Sequence, residues 1–329
     1  MRRSVVFALL IAAAVDVAIC DSIALVGVLE NVVSSKDEVP RLPSVRVVFR
    51  HTVAGWESYP NDCVSAECLA TITIKYPPRA TWLISLAGLN LGTVTGRTPT
   101  RFDSYALIGR QTITSQSRVP TVGKPSLQYA AFLDEPAYRP LLATSGVQSP
   151  RRSLAGWQKG NPEPEDLDRV WPTFKRLIPV IDDCALDTVG DAAGSVANAD
   201  TKPETVLAQK AAGRAPRKLE LEIPVAWVAL NGDALLKVVV RRDTFEECDG
   251  PREFPSQLWL YRDARGGVRP LAGQLESMRV DLVSPLDFND LLRDGHDEVL
   301  FWAAGYNRGG YVLYYDGFRK SVKYLWSYH

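Results

Sequence analysis

Runs of apolar, β-branched and aromatic residues bounded by turn residues recur along much of this chain, the pattern of β-strands. Val45 to His51 (VRVVFRH), Cys68 to Tyr76 (CLATITIKY) and Ala80 to Gly96 (ATWLISLAGLNLGTVTG) are rich in Val, Ile, Thr and aromatic residues and are bounded by Pro, Gly or Asn. They predict the strands of an N-terminal β-rich part. Gly88, Gly92 and Gly96 punctuate the last of them; no Lys-Ser/Thr pair follows, so they mark turns and bulges and not a phosphate loop. Apolar and polar residues alternate from Leu219 to Ile223, and Val225–Leu230 and Leu235–Arg241 flank Asn231-Gly232, a strong short-range hairpin signal. QLWLYRD, MRVDLV, EVLFWAAG, YVLYYDG and VKYLWSY follow as further strands.

One stretch has a different period. Between 161 and 178, Leu167, Val170, Trp171, Phe174, Leu177 and Ile178 recur at spacings of three and four, with acidic residues early and basic residues late. This predicts a single amphipathic helix, with Pro172 marking a kink or the start of the regular turn. Its apolar stripe is read as core-facing. Residues 187–217 are rich in Ala, Gly, Asp, Lys and Pro and read as a linker with a short helix around Glu204 to Ala211.

The expected fold is therefore mainly β, with antiparallel sheets in two parts. Its divisions are a signal peptide at 1–20, an N-terminal β-rich domain at 21–155, a helical connector at 156–186, the linker, and a C-terminal antiparallel β domain at 218–329. A complete propeller is not expected, since at least four blades are needed and only Asn231-Gly232-Asp233 echoes the later Asp294-Gly295.

Composition narrows the function. With 329 residues and 46% hydrophobic content the chain can build real cores, and 38 basic residues balance 38 acidic ones. No charge excess favours nucleic acid. Arg2 and Arg3 precede an apolar run from Val5 to Val15 that is too short to span a bilayer and suits a signal peptide, with Ala18-Ile19-Cys20 before Asp21 as the cleavage site. Export to the periplasm or medium is the expectation, with no transmembrane segment left after cleavage. The rival is a lipid-anchored envelope scaffold in which Cys20 is acylated, against which bulky Ile19 argues.

Of five cysteines, four remain after cleavage: Cys63, Cys68, Cys184 and Cys248. An even count in an exported chain reads as two disulfides. Of the three pairings, Cys63 with Cys68 and Cys184 with Cys248 is favoured; no second C-x-x-C unit supports a metal site.

Chemistry is concentrated near the end of the chain. Asp287, Asn289, Asp290, Asp294, Asp297 and Glu298 surround Gly295 ahead of an apolar run. Leu291 and Leu292 occupy the fifth and sixth places, where an EF-hand needs a ligand and a turn glycine, so that pattern fails. The stretch from Asp287 to Trp302 resembles the calcium loop and following strand of FG-GAP (integrin-type) repeats, with an inserted Leu291-Leu292-Arg293. The resemblance implies calcium held by Asp287, Asn289, Asp294 and Glu298; the alternative is a metal-free turn capped by Asx hydrogen bonds. GWESYPNDC, ATWLISLAGLNLGTVTGRTP, VPTVGKPS and the closing GYNRGGYVLYYDGFRKSVKYLWSYH are together similar to a family of exported bacterial proteins without an established activity. That resemblance implies a compartment and an architecture.

The three histidines, His51, His296 and His329, carry no catalytic motif. Tyr306, Tyr311, Tyr314 and Trp326 are possible members of an exposed sugar- or peptide-binding platform, but in a strand-dense domain aromatic cross-strand pairing is the favoured reading. Glu220, Glu222, Asp243, Glu246, Glu247 and Asp249 are the acids available to a carbohydrate-active hydrolase, which needs two carboxylates facing across a cleft. The expected function is an exported binding or structural protein of the envelope, without a cofactor unless calcium binds, and with an envelope protein or glycan as partner.

Overall fold

The computed structural model describes residues 24–30, 43–61, 66–86, 89–97, 109–114, 118–120, 140–146, 151–181, 205–207, 217–242, 257–274, 281–305 and 308–327, and among these the secondary structure is three antiparallel sheets and two helices. The first sheet contains β1 (Leu25–Glu30), β2 (Ser44–Thr52), β3 (Gly55–Ser58), β4 (Arg79–Leu86), β5 (Leu89–Arg97), β6 (Arg110–Ile113) and β7 (Leu141–Ser145). Its order is β1-β7-β4-β5-β6-β2, and β1 also pairs with β2, so six strands close into a barrel with β3 appended to β2. The indole of Trp82 fills its interior. Gln111 accepts the Trp82 Nε1 hydrogen at 2.8 Å, and Gly27 and Gly96 leave the room: a Cβ at Gly96 would meet the Gln111 side chain and Trp82 Nε1.

Residues 68–76, expected as a strand, are helical instead: α1 spans Ala66–Lys75. Thr71-Ile72-Thr73-Ile74 mimics strand alternation, but Glu67 in the first turn and Lys75 in the last compensate the helix dipole, and Pro77-Pro78 stops the helix. Thr71 Oγ1 donates back to the Glu67 carbonyl at 3.1 Å.

The outer sheet holds β9 (Gln158–Gly160), β10 (Thr205–Leu207), β11 (Arg217–Val228), β12 (Ala234–Arg242), β13 (Gln257–Arg262) and β14 (Val268–Pro270). Asn231-Gly232 turns between β11 and β12, with Gly232 at φ 89 and the Ala229 amide donating to the Asp233 carbonyl at 2.8 Å. Of the short helix expected from Glu204 to Ala211, residues 205–207 instead form strand β10 beside β11, and the others lie outside the described residues. The C-terminal sheet holds β8 (Arg151–Arg152), β15 (Asp281–Asp290), β16 (Glu298–Gly305), β17 (Arg308–Tyr315) and β18 (Lys320–Ser327), in the order β18-β17-β16-β15-β8. Thus β11–β14 and β15–β18 are two successive four-stranded meanders, and no propeller forms.

The layers stack. Leu300, Leu313, Tyr311, Tyr324 and Trp326 of the C-terminal sheet join the barrel core, whereas Phe301, Val312 and Tyr314 on its other face meet Leu235 and Trp259 of the outer sheet. Burial on both faces explains why β16 and β17 read as near-continuous apolar runs. The far face of the outer sheet, with Ala226, Leu236, Val238 and Leu260, packs on Val170 and Phe174 of the predicted amphipathic helix, α2 (Asp166–Ile181). Asp166 accepts the Glu163 amide at 2.8 Å, reaching back over the first turn, and Arg262 of β13 pairs with Glu163 at 2.7 Å. No helix among the described residues is long and apolar enough to cross a membrane.

Between barrel and C-terminal sheet lies a buried ionic cluster. Val28 pairs with Arg46 and Arg46 with Arg110, so Glu30, Arg46 and Arg110 share the outward face of β1, β2 and β6. Arg46 Nε lies 2.8 Å from Glu30 Oε1, Arg110 Nη2 lies 2.7 Å from Glu30 Oε2, and the Tyr311 hydroxyl donates to Glu30 Oε1 at 2.9 Å. The Arg46 guanidinium also sits 4.1 Å over the Trp326 ring. Burial alone would push the Glu30 carboxyl up; Arg110, Arg46 and the Tyr311 hydroxyl override it and hold it down at about 2. We expect Glu30→Ala, which strands the buried Arg46 and the partly buried Arg110, to cost about 3–5 kcal/mol in urea unfolding, against a small effect for Glu57→Ala in the half-exposed Arg50 pair.

Candidate functional site

The acidic segment divides between strand and turn. Asp287 and Asn289 are not loop residues but lie within β15, where Asp287 pairs with Leu300 and Asn289 with Glu298 of β16. Strand alternation puts Asp287, Asn289 and Glu298 on the barrel side, away from Phe288. All three are buried, whereas Asp294, the fourth residue of the expected calcium set, is exposed on the turn. The arrangement brings three of the four together and leaves the fourth apart.

Most of the carboxylates are used by the turn itself. Asp290 accepts the amides of Asp294 and Gly295 at 3.0 and 3.1 Å, Asp294 accepts that of His296 at 2.9 Å, and Glu298 accepts that of Leu291 at 2.8 Å. Arg293 and Gly295 adopt positive φ at 58 and 87, which bends the chain back toward β16. Asp297 receives hydrogen bonds from Ser153 Oγ and from Trp157 Nε1 at 3.0 Å, tying the turn to the segment between β8 and β9. Burial raises the Asp297 carboxyl against those two donors. Burial likewise pushes Glu298 up to about 8, opposed by the Leu291 amide and reinforced by the charge of Asp294. Among the described residues no group of three or more His, Cys, Asp or Glu side chains is arranged to hold a metal ion. The Asn289 amide, beside the turn in β15, is left unsatisfied: it is 1% exposed, and neither Nδ2 nor Oδ1 has a hydrogen-bond partner among the described residues.

The aromatic candidates serve the core. Tyr311, Tyr314 and Trp326 are buried, and Tyr306 lies outside the described residues. Tyr311 is directly opposite Tyr324 across β17 and β18, and Trp326 contacts both rings. Cys68, on α1, is disulfide-bonded, while Cys63, Cys184 and Cys248 lie outside the described residues. Of the acids available to a hydrolase, Glu220 and Glu222 share one strand, β11, and Asp243, Glu246, Glu247 and Asp249 lie outside the described residues. The Glu30 cluster escaped the sequence pattern. Its trace in the sequence is the charge of Arg46 between Val45 and the apolar run Val47-Val48-Phe49 of β2.

No protein-family model matches the chain, and no curated protein or solved structure matches it significantly.

Two outcomes follow from this geometry. A Glu298 carboxyl raised in the fold stabilises fully below its unfolded value of 4.5 and loses that contribution as pH rises through about 8. The melting temperature should therefore fall between pH 5 and pH 9, and Glu298→Gln, which keeps an acceptor for Leu291, should flatten that fall. Replacing the unpartnered Asn289 amide by Leu should stabilise the protein by about 1 kcal/mol in urea unfolding. A destabilised Asn289→Leu, with calcium raising the wild-type melting temperature, would instead put a guest on that amide.

Proposed function

We propose that this is an exported binding or structural protein of the bacterial cell envelope, and that its acidic turn serves the fold and not a reaction. The observation that carries the reading is the use of the turn's carboxylates: Asp290, Asp294 and Glu298 each accept backbone amides of the turn itself, and Asp297 is held by Ser153 and Trp157. A carboxylate that accepts a backbone amide of its own turn acts as a cap that fixes the bend between β15 and β16. The disulfide at Cys68 supports an oxidising compartment, and Arg2-Arg3 followed by the apolar run to Val15 supports export.

In this reading the similarity of Asp287 to Trp302 to an FG-GAP loop is one of turn and strand, with the Asx hydrogen bonds replacing the cation. Mass spectrometry of protein recovered from an expressing bacterium checks the export half of the proposal. A mature chain beginning at Asp21, with no lipid mass and with its disulfides oxidised, is expected. Retention of Met1, or a diacylglyceryl mass on Cys20, would overturn it.

A further inference from the structure

The C-terminal sheet packs on the barrel at β2, β3 and β7, whereas the outward-facing Arg79 and Thr81 of β4 and Thr93 and Arg97 of β5 are exposed. There Arg79 and Arg97 stand directly opposite each other as cross-strand partners, and both are exposed. Like charges in this relation repel, and strands ordinarily place an acid or a neutral residue at one of the two positions. Neither arginine has an ion pair or hydrogen bond among the described residues. The same face continues in hydroxyls: Thr81 is opposite Thr95, Thr93 follows on β5, and Thr112 of β6 is opposite Arg97 on its other side. Thr81, Thr93 and Thr112 are exposed.

We propose that this face of β4, β5 and β6 binds an anionic polysaccharide, its sugar carboxylates received by the Arg79–Arg97 pair and its hydroxyls by the threonine row. Two guanidinium groups at neighbouring strand positions give planar, bidentate donors for carboxylate groups, at a spacing that one polymer strand can bridge. Several features favour a glycan over other anions. The described residues of the face include no exposed aromatic or large apolar side chain of the kind on which protein interfaces centre, Leu83 opposite Thr93 being half-buried. A bilayer would need an apolar anchor, and the exposed one on this hairpin, Leu89, is at the far end of β5, about 26 Å from Arg97 along the strand. The balanced net charge of the whole chain suits a local footprint better than a long polyanion track.

This inference rests on the binding role proposed above and names the partner. The test uses the full mature chain and three probes: alginate oligomers as the polyuronate, neutral dextran, and phosphatidylglycerol vesicles. Titration calorimetry should show the wild type binding alginate, with affinity falling as sodium chloride is added, and no binding to dextran. The double variant R79Q/R97Q should bind alginate about tenfold more weakly or worse. Its melting temperature should be no lower than that of wild type, since the substitution relieves repulsion on an exposed face. Undiminished alginate binding by the variant, no alginate binding by the wild type at low salt, or tighter arginine-dependent binding to the vesicles would each overturn the proposal. A chain processed at Asp21 that ignores alginate would do so while leaving export intact.

Discussion

Everything between the barrel and the C-terminal sheet is organised around one desolvated contact, the Arg46–Glu30 ion pair. Charges on the outside of a barrel strand normally stay in water, and removing them from it is costly unless their hydrogen-bonding capacity is met. Here the remaining capacity is met from the other end of the chain: Tyr311, 281 positions beyond Glu30, donates the hydroxyl hydrogen, and Trp326 supplies a ring face to the guanidinium. The barrel is thus complete as a hydrogen-bonded ring but incomplete as a solvated object. Its outer face becomes acceptable only when β17 and β18 lie on it.

From that contact the rest of the stack follows in order. A sheet that covers the barrel has a second apolar face of its own, and the second meander covers that one with Leu235 and Trp259. The outer meander in turn exposes Ala226, Leu236 and Leu260, which α2 closes with Val170 and Phe174. Each layer solves the burial problem of the one before, and the series ends when a helix with a polar outer face is reached. The two meanders also reuse one device after their first hairpin. Asp233 accepts the Tyr261 hydroxyl and the Ala264 amide, and Asp297, at the matching place, accepts Ser153 and Trp157.

The sequence made the strands, the Asn231-Gly232 hairpin and α2 legible because each is written in a local period or turn residue. It misled at residues 68–76, where Thr71 to Ile74 are β-branched and only the flanking Glu67, Lys75 and prolines favour the helix. Barrel closure was not legible, since pairing of β1 with both β2 and β7 is a long-range choice that no window contains. The acidic segment was visible as composition, but its meaning depended on register: placing Asp287 and Asn289 inside a strand changes what they can surround. Pairing of aromatics such as Tyr311 and Tyr324 across strands was legible, but nothing local states that their sheet will be covered on both sides.

The filled interior of the barrel has a consequence for how this molecule meets the world. Closed β-barrels with wide lumens act as carriers, enclosing a cargo and shielding it from water. With the Trp82 indole fixed by Gln111 and seated against Gly27 and Gly96, this barrel is a solid post and not a vessel. The glycan site proposed on β4, β5 and β6 accordingly lies on the outside of this post, in contact with solvent.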